Sequence, residues 1–75
     1  MEFVQVESDN VDGIAYDSFT KRMLVRFKRD GRVYEYQNVA QEHHDTVMAA
    51  ERPGKAFMSI IRPNHRGKLL IDDDL

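Results

Sequence analysis

The amino-acid sequence predicts an α+β fold, a three- to four-stranded antiparallel β-meander with two short C-terminal helices packed on one face. Two observations carry this. Residues 21–36 read KRMLVRFKRDGRVYEY, two runs of alternating apolar and polar residues around a charged turn ending in Gly31, which is the pattern of a β-hairpin. From Val39 onward apolar residues recur at helical spacing, and Arg52-Pro53-Gly54 divides that stretch in two.

Taken in order, residues 3–7 form a short β-rich run, and Ser8-Asp9-Asn10 supplies turn residues. Residues 12–16 give the next strand, with Ile14 and Tyr16 on one face and Ala15 on the other. The loop Asp17-Ser18-Phe19-Thr20 leads into the central hairpin, and its Phe19 either folds back on the core or belongs to a contact surface. In the hairpin, Met23, Val25 and Phe27 share one face while Leu24, Arg26 and Lys28 share the other. A two-residue loop pairs Phe27 with Tyr34, and a four-residue loop pairs Val25 with Tyr34. Both registers turn Tyr34 and Tyr36 toward Met23, Val25 and Phe27, since only an odd slip would flip the strand.

Asn38 is the expected N-cap of the first helix, with Gln41 at the capping-box position. That helix is expected over residues 39–51 with Val39, His43, Val47 and Ala50 in one stripe, and a second over residues 55–62, ahead of Pro63. The expected core is Val4, Ile14, Met23, Val25, Phe27, Tyr34, Val47, Phe57, Ile60 and Ile61. Residues 1–63 then make a single domain, and residues 64–75 a tail. In that tail Leu69-Leu70-Ile71 packs as a strand or in a partner interface, ahead of a frayed acidic end.

Composition narrows the function classes. A chain of 75 residues without cysteine builds one small domain with neither disulfides nor thiolate metal sites, which fits a reducing cytoplasm. The start, MEFVQVESDN, lacks the pattern of a signal peptide, and the apolar runs are too short for a transmembrane helix. The net charge of −2 hides a segregation: Lys21, Arg22, Arg26, Lys28, Arg29 and Arg32 cluster with one acid, Asp30, and Arg52, Lys55, Arg62, Arg66 and Lys68 with none. Such segments bind anions locally or form a solvated charged surface.

With these residues assigned, the chain resembles the KTSC domain family, a module named for the C-terminus of some lysyl-tRNA synthetases and found in free-standing bacterial and phage proteins. The resemblance rests on Ile14-Ala15-Tyr16-Asp17, Met23-Leu24-Val25-Arg26-Phe27, Gly31, Tyr34-Glu35-Tyr36, Asn38-Val39, Gly54, Phe57 and Ile61-Arg62. Ala40, Arg52 and Met58 depart from the proline, serine and asparagine usual there. The resemblance implies a small α+β domain and an RNA-binding role.

No residue pattern points to catalysis. Adjacent His43 and His44 diverge by about 100° on a helix and do not converge on one metal. Ser8, Ser18 and Ser59 lack a nucleophile elbow, and the four glycines are scattered. The chain is therefore read as a non-enzyme without cofactor or metal. The second helix, apolar at Phe57, Ile60 and Ile61, leaves few side chains to read base edges, which argues against a helix-turn-helix.

The favoured expectation is a module binding RNA or small nucleotides through Arg26, Arg32, Arg62, Arg66 and Lys68, with Tyr16, Phe19, Tyr34 and Tyr36 as stacking faces. Pairing parity favours Tyr34 and Tyr36 as core, with only their hydroxyls at the rim, which leaves Tyr16 and Phe19 as the better exposed stacking candidates. Arg62 either answers the carbonyls at its helix end or clamps a phosphate beside Arg66 and Lys68. The alternative is protein–protein interaction, as a homodimer using Phe19 and Leu69-Leu70-Ile71. Such a dimer with basic pockets would suit a phage protein that sequesters host nucleotide signals.

Overall fold

A computed structural model of the protein describes residues 1–70. Ile71 and the acidic run expected at Asp72, Asp73 and Asp74 lie outside the described residues. The elements are β1 (Val4–Gln5), β2 (Val11–Asp17), β3 (Arg22–Phe27), β4 (Val33–Tyr36), α1 (Gln41–Ala49), α2 (Pro53–Ile60) and β5 (Lys68–Leu70). The strands form a five-stranded sheet in the order β1-β2-β3-β4-β5, every pair antiparallel. The α+β class stands, with one strand more than the upper count expected. Lys68–Leu70 pairs with β4, so part of the expected tail is sheet.

The central hairpin takes the four-residue register, pairing Val25 with Tyr34 and Met23 with Tyr36. Gly31 closes it at φ 72, a backbone region that only glycine enters freely. The β2–β3 loop has the same length, pairing Asp17 with Arg22. There Lys21 holds φ 58, while the Asp17 carboxylate accepts from the Phe19 and Thr20 amides at 2.9 and 3.4 Å.

On the helix-covered face Ile14, Met23, Val25, Tyr36, Val39, Val47, Phe57 and Ile61 form one buried cluster with Val6 and Val11. A bulge between Val11 and Gly13 brings Val11 onto this face despite its odd number. Val4 was expected in the core but is 53% exposed, and Val6 is buried in its place. Phe27, Tyr34 and Ile60 pack only at the cluster's margin.

Both helices begin differently from expectation. Asn38 sits at φ 60 and is no cap; Ala40 holds the N-cap position in extended backbone, without a side-chain hydrogen bond. His43 is exposed while His44 is half-buried, so the inward stripe runs through His44, Val47 and Met48. Pro53, expected as a breaker, opens α2 at its first turn, where a missing amide proton costs nothing. Gly54 follows it against the Ser8 turn, and a β-carbon there would overlap the Ser8 hydroxyl.

Candidate functional site

The sheet face that carries the tyrosines is only partly roofed by helices. Between the β3–β4 turn, the end of α2 and the chain leading to β5 lies a cleft of about 520 Å³, lined by Phe27, Arg29, Asp30, Tyr34, Tyr36, Met58, Arg62, His65 and Gly67, with Asn10 at its edge. Ligand sites occupy roughly 300–1,000 Å³, so the size suits one small molecule or one nucleotide unit.

Its aromatic wall is held edge to face. Tyr34 meets Phe27 at 5.6 Å and 84°, and Tyr36 meets Phe57 at 5.2 Å and 75°. Tyr36 is 3% exposed and belongs to the core, while Tyr34 is half-buried. Tyr36 thus lies in the core, and Tyr34 packs against its margin with part of its ring exposed. Burial pushes the Tyr36 phenol up, and the Arg62 guanidinium works against that shift. Gly67 lets the chain cross the hydroxyl end of Tyr36, since a β-carbon there would fall 2.8 Å from the ring.

The polar wall comes from three segments. Arg62 follows α2 and reaches Met58 Sδ at 3.7 Å, too weak a contact to fix a guanidinium. Among the described residues Arg62 makes no ion pair. Asp30, the acid at the rim, lies 3.6 Å from Arg32, and its other oxygen accepts from the Arg32 amide at 3.0 Å. His65 Nδ1 lies 3.0 Å from the Gln37 carbonyl and donates to it, which ties the β5 approach to the end of β4.

A second cleft of about 420 Å³ adjoins the first and shares His65 with it, its other lining residues being Glu35, Gln37, Asn38, Asn64, Arg66 and Lys68. Glu35 is buried, bonded by Arg22 and by Gln37 Nε2, the latter at 2.8 Å. The Gln37 bond holds its carboxyl below the ordinary range, burial opposes the shift, and Arg22 and Lys68 add to the lowering.

The residues singled out from the sequence therefore separate. Tyr34, Tyr36 and Arg62 share the first cleft; Arg66 and Lys68 line the second. Arg26 is on the opposite sheet face, its guanidinium 4.1 Å above the Phe3 ring. Arg32 is exposed beside Asp30. Tyr16, expected as a more exposed aromatic, is half-buried: its ring stacks on His44 at 4.3 Å and its hydroxyl donates to the Val39 carbonyl at 2.6 Å. Phe19 stands at the β2–β3 tip, 97% exposed, so it does not fold back on the core.

Arg29, which the sequence places only within a basic segment, and Met58, His65 and Gly67, which it does not single out for a site, also line the first cleft. Each sits in a turn, on a helix or in the expected tail, where periodicity says nothing about what lies opposite. Met58 and Arg52, two of the departures from the family pattern, also line a third cleft beside the Ser8 turn. No group of three potential metal ligands forms among the described residues.

Comparisons with known proteins agree with this fold. A crystal structure of a KTSC domain protein from Yersinia pestis superposes with a TM-score of 0.86 at 23% identity, covering 93% of this chain and 97% of the other. A protein of Tsukamurella paurometabola is 32% identical over 65 residues, 87% of this chain and 96% of that one. Residues 7–65 match the family described as the KTSC domain, a stretch running from the turn before β2 to His65. The chain belongs to the KTSC domain family.

Proposed function

We propose that the protein is a non-enzymatic cytoplasmic module that binds RNA or a small nucleotide at the tyrosine cleft. One observation supports this above the others: Tyr34, Tyr36 and Arg62, selected from the sequence as stacking and phosphate-binding residues, line one opening together with Arg29 and His65. A base laid against Tyr34 gains roughly 1–3 kcal/mol of stacking, and the adjacent guanidinium answers its phosphate. Arg26, Arg32, Tyr16 and Phe19 lie outside this opening.

The test titrates ribonucleoside monophosphates and a single-stranded RNA hexamer against the wild type and Arg62→Ala by calorimetry at two salt concentrations. Arg62 is exposed, so its replacement leaves the fold intact. The variant should bind about 10- to 100-fold more weakly, the worth of a charged hydrogen bond. Wild-type affinity should fall with salt by a log–log slope of about 0.7 per phosphate contact. Absence of binding at low salt defeats the reading.

Phe19, 97% exposed, and Leu69, 40% exposed on an edge strand, favour a second reading in which the protein pairs with itself or another protein. Self-association indifferent to salt, without any nucleotide binding, would select it.

A further inference from the structure

Among the described residues the sheet ends at β1 on one side and at β5 on the other. An edge strand leaves one row of backbone N–H and C=O groups able to take a further strand. The two edges carry opposite charge patterns. β1 has acids on both sides, Glu2 before it and Glu7 and Asp9 after it. An antiparallel copy of β1 would bring acid toward acid, which opposes pairing.

β5 is arranged the other way. Arg66 precedes it and Lys68 opens it, both exposed, and Asp72, Asp73 and Asp74 follow it in the sequence. Between the two charged groups runs Leu69-Leu70-Ile71, of which Leu69 is 40% exposed. A segment that is basic at one end, apolar in the middle and acidic at the other complements itself when reversed. With a two-fold axis at Leu69, Arg66 falls opposite the partner's Asp72. With the axis at Leu70, Lys68 falls opposite the partner's Asp72 and Arg66 opposite the partner's Asp74. With the axis at Ile71, Lys68 falls opposite the partner's Asp74. Every symmetric register centred on the apolar run therefore sets cation against acid, and the Leu70 register does so most often. A parallel pair would set like against like.

From this pattern we infer that the outer edge of β5 is an association surface whose occupant is β5 of a second copy of this chain, added antiparallel across a two-fold axis. Residues directly opposite each other share a face, so the helices of both copies lie on the same side of one continuous sheet. Backbone and leucine contacts hold the pair, and the charges choose its orientation. The inference rests on the self-pairing reading and gives it a strand, a direction and a charge code. It requires neither Phe19 nor the nucleotide reading of the tyrosine cleft.

The test measures sedimentation of the full chain from micromolar to millimolar concentration at one fixed low salt concentration. Two variants accompany the wild type: Arg66→Glu with Lys68→Gln, and Asp72→Lys with Asp74→Lys. Lys68 takes Gln rather than Glu because its partner on β4 is Glu35. Each variant alone should self-associate about tenfold more weakly than the wild type, as several opposed charges turn from attraction to repulsion. An equimolar mixture of the two should recover association, since the basic strand of one then meets the acidic strand of the other. Independently of any variant, hydrogen exchange at the β5 amides of the wild type should slow as concentration rises, while exchange at β1 stays constant. Self-association that neither variant weakens, or β5 exchange that ignores concentration while the protein associates, overturns the inference and leaves self-pairing to another surface. Weakened variants that do not recover on mixing overturn it as well. A wild type that stays monomeric at millimolar concentration removes the self-pairing reading and this one with it.

Discussion

The two faces of the sheet are built from the same strands by opposite means. On one, Phe57 descends from α2 against Phe27 at 6.0 Å and Tyr36 at 5.2 Å, within a cluster that both helices help to bury. On the other, Ala15, Leu24, Val33 and Leu70 make a smaller buried cluster with Phe3 beside it. There the long polar side chains complete the surface: Arg22 binds Glu35, and Arg26 covers Phe3. A helix-covered face is stabilised by apolar area, whereas the second face combines a thin apolar layer with paired charges.

The largest test of that contrast is a pair of truncations. Phe57→Ala should cost about 3–5 kcal/mol and Leu24→Ala about 2–3 kcal/mol, read from urea denaturation midpoints. Equal losses would mean that the second face is as much a core as the first.

Acid sharpens the comparison next. The folded-state pKa of Glu35 lies below its ordinary 4.5, so its carboxylate contributes stability above that value and loses it as pH falls through the lowered one. Glu35→Gln should therefore be about 1–2 kcal/mol less stable at neutral pH, Arg22 being partly solvated. The two proteins should converge in stability near the bottom of the carboxylate range. Parallel melting curves at every pH would remove the ion pair from the account of this face.

The smallest effect belongs to the cation over the ring. A double-mutant cycle between Phe3→Leu and Arg26→Gln should give about 0.5–1 kcal/mol of coupling. Zero coupling would reduce Arg26 to a solvated charge.

Alternation along residues 21–36 was enough to assign both faces, because strand parity is local and every permitted loop length was even. What escaped was non-local. The bulge at Val11 reverses parity in a run that looks regular, and Val6 replaces Val4 because β1 pairs over only two residues. Asn38 satisfies the pattern of a cap, yet its backbone is committed to a left-handed turn into Val39, whose amide donates to the Lys21 carbonyl at 2.9 Å. The sequence nominated Tyr34, Tyr36 and Arg62 by residue type. Their meeting with His65 and Gly67 depends on where β5 docks, and no periodicity encodes that.

The placement of β5 also bears on the order of assembly. The first four strands are joined in sequence by short connections, whereas the pairing of β5 with β4 closes a loop of roughly thirty residues that contains both helices. The meander can zip locally, and the last strand must wait for α1 and α2 to turn the chain back. Being three residues long and at the sheet's edge, β5, like the two-residue β1 at the other edge, is a segment that local opening releases at low cost. Release would carry Gly67 away from Tyr36 and Lys68 away from Glu35. Opening of β5 therefore removes part of the lining of both clefts, and hydrogen exchange at its amides would report that opening.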